Sequence, residues 1–229
     1  LKISLQEPLI IVNFKTYLES TGKNGLNLAR QARKASKETG IQIVICPQLA
    51  DLSLISARVD IPIFSQHIDA ITPGSHTGHV LATSIKDAGA IGTLINHSER
   101  QLKLSEIDSI IKITKKNNLL SCVCVNNPSV SGAVSALNPD IVSIEPPELI
   151  GTGVAVSKAK PEIVTNTINI VHKINNKPII LCGAGISKPE DVAVAIKLGT
   201  KGILVASAIV KAKNPYDLLC KFAEAIIIA

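Results

Sequence analysis

The apolar run DIVSIE (140–145) ends in one carboxylate, Glu145, and the chain then stiffens through Pro146 and Pro147 before Gly151 and Gly153 free it again. A lone acid in that place suits a general base better than it suits packing, because a covering loop would exclude water and raise its basicity. Groups of comparable use end other apolar runs. Asn13 and Lys15 follow LIIV in NFK, where the cation can face an anion and a developing oxyanion while the amide adds a neutral donor. His97 follows IGTLI in NHSER, and Ser98, Glu99 and Glu106 mark a turn or helix start just beyond it. A helix N-terminus disfavours added positive charge, which would keep this imidazole neutral as a hydrogen-bond donor or proton shuttle. The small residues Gly183, Ala184 and Gly185, and again Ala206 and Ser207, end two further runs and let backbone N–H groups approach a phosphate closely.

Each group also has an ordinary reading. Lysines are mostly solvated, a lone His is mostly just hydrogen-bonded in place, and any strand-to-helix turn can be glycine-rich. Their common position at the ends of apolar runs is what joins them into a base, an electrophile and a cation around a small anionic substrate. Gln66, His67, Asn126 and Asn127 stand at comparable places. His67, His76 and His79 share one loop, but neither a cysteine nor a carboxylate cluster completes a ligand set, so no metal is expected. Cys122 and Cys124 alternate along a strand and cannot chelate one ion together. His172 falls on a helix and reads as surface or packing.

The elements that must carry these groups follow from hydrophobic pattern. Eight short β-branched runs, at 9–13, 41–46, 61–66, 91–96, 119–125, 140–145, 177–183 and 201–206, alternate with helix-patterned stretches such as 24–39, 105–117 and 161–174. In SKPEDVAVAIKLG, Ser187 reads as the N-cap, Pro189 as first turn and Gly199 as stop. This strict alternation in 229 residues, with no linker or low-complexity tract, predicts a single α/β domain over 1–229, a (β/α)8 TIM barrel, in preference to an open doubly wound sheet. In a barrel the ends of the strands converge on one mouth.

Composition agrees. The chain is 46% hydrophobic but only 2% aromatic, without Trp or Met, so Ile, Val, Leu and Ala must fill strands buried on both faces. Five cysteines, mostly inside apolar runs, read as small hydrophobes of a cytoplasmic protein. No apolar run approaches the roughly 18 residues of a membrane span. The net charge of +6 is spread along helices and stacking aromatics are nearly absent, so neither nucleic acid nor membrane is expected as a partner.

In this order NFK, NHSER, EPPELIGTG, CGAGIS and ILVAS resemble the triosephosphate isomerase family, most closely its compact archaeal form, over nearly the whole chain. The resemblance implies proton transfer between two carbons of a phosphorylated triose through an enediol(ate), with no metal or organic cofactor. It implies Glu145 as base, His97 as neutral electrophile, Asn13 and Lys15 as donors, and backbone groups of Ile150, Gly151, Gly185, Ala206 and Ser207 as the phosphate cradle. The family is itself the standard case of pKa tuning and lid closure. Many members carry a Trp in the first lid hinge, a Ser where Gly185 stands and a Gly pair where Ala206 and Ser207 stand. Prolines at the first hinge place the lid's backbone change near Gly153 to Ala155. The loop HIDAITPGSHTGHV, with Thr77 reaching toward a neighbour, implies a homo-oligomer, a tetramer in preference to a dimer. Another phosphate-binding barrel enzyme, an aldolase or sugar-phosphate isomerase, is the alternative.

Overall fold

The structure, a computed structural model, describes residues 5–146, 149, 153 and 155–229. Among these residues eight parallel strands form the sheet: β1 (Leu9–Asn13), β2 (Gln42–Cys46), β3 (Phe64–Ser65), β4 (Gly92–Ile95), β5 (Leu120–Val125), β6 (Ile141–Ile144), β7 (Ile179–Cys182) and β8 (Gly202–Val205). Their order is β2-β1-β8-β7-β6-β5-β4-β3, and a parallel bridge between Ile45 and Ile63 closes the ring. The fold is a (β/α)8 barrel.

Helices follow the strands. They are α1 (Lys23–Thr39), α2 (Leu49–Ser56), α3 (Ala82–Asp87), α4 (Leu104–Lys116), α5 (Pro128–Ser135), α6 (Val156–Ala159), α7 (Pro161–Ile174), α8 (Pro189–Lys197), α9 (Ser207–Val210) and α10 (Pro215–Ile228). Several are short, which is how eight units fit in this length. α10 packs against α1 and α8 and so joins the two ends of the chain around the ring.

Strand alternation divides the core in two. Leu9, Ile11, Val44, Phe64, Leu94, Cys122, Leu181 and Leu204 cluster with one another inside the barrel. Their sequence neighbours, such as Ile10, Val12, Ile43, Val123, Val142 and Ile203, pack outward against the helices. Because the side-chain period is two, residues that continue the inward set past its last apolar member reach the barrel mouth. On β1 that residue is Asn13, and on β6 the inward set runs Ile141, Ser143, Glu145.

Two local expectations are corrected. Of the run 61–66 only Phe64–Ser65 form strand, with Ile63 adding the single bridge to Ile45, since Pro62 lacks the N–H a longer strand would need. Ser187 is not the N-cap of α8. Lys188 holds that place, and Asp191 in the first turn takes the N–H groups of both Ser187 and Lys188, each at 3.0 Å.

Candidate active site

The strand ends open into a cavity of about 370 Å³ lined by Lys15, His97, Glu145, Gly183, Gly185, Ala206 and Ser207, with Tyr17, Gly153, Ser187 and Lys211 at its edges. Seven of the sequence-expected groups therefore meet in one place. Asn13 is buried at its side and lines the adjoining cavity of about 400 Å³, which also holds Lys15, Gln66 and His97. Ile150 and Gly151 lie outside the described residues, as does Pro147.

Glu145 is 2% exposed. Its Oε1 accepts a hydrogen bond from Ser143 Oγ at 2.9 Å, and its Oε2 lies 3.4 Å from His97 Nε2. The thiol of Cys124, beneath it on β5, is also hydrogen-bonded to this carboxylate, and burial pushes that thiol's titration well up. Gly183 on the neighbouring strand leaves the room that this arrangement needs. A Cβ there would stand 2.4 Å from Glu145 Cγ and 2.6 Å from Ser143 Oγ, so no other residue fits.

His97 sits in a turn, and the next helix, α4, starts only at Leu104. The backbone N–H of Glu99 donates to Nδ1 at 3.2 Å, with Glu99 Oε2 3.5 Å from the same nitrogen, so it is the proton on Nε2 that faces Glu145. Asn96 builds this turn. It adopts a left-handed φ of 61° while its side chain donates to the Cys124 carbonyl at 2.9 Å and accepts from the Leu102 N–H at 2.8 Å.

Lys15 is likewise over-determined. Its φ is 47°, a region that costs a residue with a Cβ, and Asn13 Oδ1 accepts its N–H at 3.0 Å while Gln66 Nε2 donates to its carbonyl at 2.9 Å. Its ammonium is paired with Glu99 Oε1 at 2.9 Å. That pairing joins residues 84 apart in sequence, and reading the sequence alone did not anticipate it.

On the other side of the cavity Gly185 has a φ of 71°, a conformation for which glycine is suited and a Ser is not. Ser187 Oγ lies 3.3 Å from the Gly153 carbonyl and 3.3 Å from Asp191 Oδ2. Lys158 Nζ meets Asp191 Oδ1 at 2.7 Å, and the Val156 N–H donates to the Ala184 carbonyl at 3.1 Å. Burial pushes the Asp191 carboxyl up, but these donors outweigh it and hold the group below the usual carboxylate range. The segment that begins at Ala155 is thereby fastened to the turn after β7, with Gly153 at a φ of 74° just before it.

The remaining polar groups are structural. Asn127 caps α5 by accepting the Val130 N–H at 2.9 Å. His67 bonds Asp69 at 2.9 Å, and Asp69 in turn accepts the Val80 N–H at 2.6 Å, pinning the base of a loop whose residues 72–79 are exposed. Four of the cysteines are buried, and burial raises the Cys182 thiol to about 12, Cys46 further still and Cys122 well up, so these thiols are inert packing groups. Among the described residues no helix is long and apolar enough to cross a membrane.

Comparison with known proteins agrees with this geometry. The family model described as triosephosphate isomerase matches residues 8–226. Proteins named triosephosphate isomerase from Methanobrevibacter smithii and Methanocaldococcus jannaschii are 51% and 54% identical, over 94% and 90% of this chain and 97% and 94% of their own lengths. One of the same name from Methanosarcina acetivorans is 51% identical over 91% of this chain and 94% of its own.

Proposed function

The chain belongs to the triosephosphate isomerase family and interconverts D-glyceraldehyde 3-phosphate and dihydroxyacetone phosphate, and from that premise we propose that Glu145 is the base, His97 the electrophile, and Lys15 and Asn13 the cationic and neutral donors. The observation that carries this reading is the approach of Glu145 Oε2 to His97 Nε2, 3.4 Å apart in the cavity that Lys15 also lines. In the resting site the two groups face one another across 3.4 Å. A bound triose would separate them, with its carbonyl oxygen toward His97 and the adjacent carbon toward Glu145.

Glu145 then takes the proton from that carbon, and the C–H electron pair moves into a carbon–carbon double bond as the carbonyl oxygen gains charge. The Nε2–H of His97 and the ammonium of Lys15 stabilise that oxygen. Glu145, now a carboxylic acid, returns the proton to the neighbouring carbon, while the hydroxyl proton of the first carbon passes by way of His97 to the oxygen of the second, so that the first oxygen becomes the carbonyl and the atoms balance. The phosphate would rest on the N–H groups of Gly185, Ala206 and Ser207, completed by the lid residues Ile150 and Gly151. Water exclusion by that lid would keep the enediolate from expelling its phosphate.

The activity is one of glycolysis and gluconeogenesis, and we place it in the cytoplasm. We also infer a homo-oligomer, a tetramer in preference to a dimer. The exposed loop around Thr77 on its pinned base supports a projecting contact, and the adjoining cavity beside Lys15 and Leu49 is of a size to receive such a loop from a second copy. A coupled assay with dihydroxyacetone phosphate is expected to show turnover that a chelator leaves unchanged. Absence of turnover in the folded protein would overturn the reading.

A further inference from the structure

The inward face of β6 places Ser143 directly beneath Glu145. Its hydroxyl is fully buried and donates to Oε1 at 2.9 Å, while Oε2 is the oxygen turned to His97. We propose that Ser143 is a positioning residue of the isomerisation: it anchors Oε1 below the cavity floor, aims Oε2 at the substrate carbon, and sets how readily the carboxylate takes a proton. The inference rests on the reading of Glu145 as the base.

Two observations set this contact apart from ordinary satisfaction of a buried hydroxyl. Other buried strand hydroxyls of the barrel serve other ends: Thr93 bonds the main-chain oxygen of Leu94, Ser121 bonds Asp140 on the segment leading into β6, and Ser65 has no partner among the described residues. Moreover, the glycine at 183 leaves space for both members of the pair, since a Cβ there would collide with Ser143 Oγ and with Glu145 Cγ alike. A hydrogen bond to a charged acceptor is stronger than a neutral one and favours the charged form, so a donor at Oε1 restrains both the rotation and the proton affinity of the base.

The other titratable groups around Glu145 are His97, the Lys15–Glu99 pair across the cavity, and the thiols of Cys46, Cys122, Cys124 and Cys182. Burial raises all four thiols, which leaves them neutral through the working range. Ser143 is thus a neutral donor whose removal changes no charge in the site.

The test is Ser143→Ala followed by kcat and KM over pH. Loss of one hydrogen bond to a charged acceptor is expected to lower kcat roughly tenfold with KM nearly unchanged. The acid limb of the kcat/KM profile is expected to move to higher pH by roughly one unit. Ser143→Cys keeps the shape but offers only a weak donor, so it must shift the limb in the same direction even if the Ala variant does not fold. A limb that stays in place in the folded variant, whatever happens to kcat, reduces Ser143 to packing and overturns the proposal. Glu145→Gln in the same assay separates the two levels: retained activity there would remove the base itself, whereas an inactive Glu145→Gln beside an unmoved Ser143 limb removes only the positioning role.

Discussion

Glu145→Gln is expected to lower kcat by between about 10² and 10⁴-fold while leaving KM within a few-fold of wild type. The amide is nearly isosteric and can still accept from Ser143, so the packing beneath the cavity and the room left by Gly183 are kept. What it lacks is the lone-pair basicity needed to receive a carbon-bound proton. The effect therefore belongs to the transition state rather than to uniform binding, and it should appear in kcat. Steady-state kinetics with thermal unfolding as a fold control read this directly, and near-wild-type kcat in a folded variant would refute the assignment.

Lys15→Met is expected to reduce kcat/KM by about 10² to 10³-fold, the scale for removing one pre-organised charge from an oxyanion site. Methionine keeps the length and apolar stem, so the change isolates the charge. The expected size follows from how Lys15 is held. Asn13 and Gln66 fix its strained backbone, and its side chain is 11% exposed, so the ammonium is already in place before substrate arrives. Its resting partner Glu99 is 61% exposed and readily takes water in exchange, which lets an incoming oxyanion compete for the cation. Lys15→Arg should not restore full activity, since a planar fork is not a compact ammonium. A loss of less than about tenfold in Lys15→Met would show that this charge does not act on the reacting oxygen.

Much of this site was legible because a barrel turns one-dimensional information into position. An apolar run that stops at a polar residue places that residue at the mouth, which made Asn13 and Glu145 readable, and His97 one residue past Asn96, where the run 91–95 stops. Strand boundaries moved only where a local property intervened, as with Pro62 ahead of β3. What sequence concealed was pairing across elements. Ser143 lies within a run that reads as apolar, and only the inward face of β6 shows that its hydroxyl is aimed at the carboxylate two residues on. The Lys15–Glu99 pair depends on two loops meeting, and the tautomer of His97 depends on the backbone N–H of Glu99, which no residue type announces. Ser187 looked like a cap because of its residue type, yet Asp191 takes the N–H groups there and also pairs with Lys158 on α6. The expected hinge from Gly153 to Ala155 includes residue 154, which lies outside the described residues; Gly153 itself has a left-handed backbone.

The central claim is that one cavity holds the phosphate on the turns after β7 and β8 and the reacting carbons between Glu145 and His97. A crystal structure with 2-phosphoglycolate, which carries a carboxylate in place of the enediolate, tests it most directly. The expected result is phosphate oxygens at about 3 Å from the backbone nitrogens of Gly185 and Ser207, with the ligand carboxylate against Lys15 Nζ and His97 Nε2 and beside Glu145. A ligand seated in the adjoining cavity, with Glu145 and His97 still in contact and Lys15 still paired to Glu99, would contradict it.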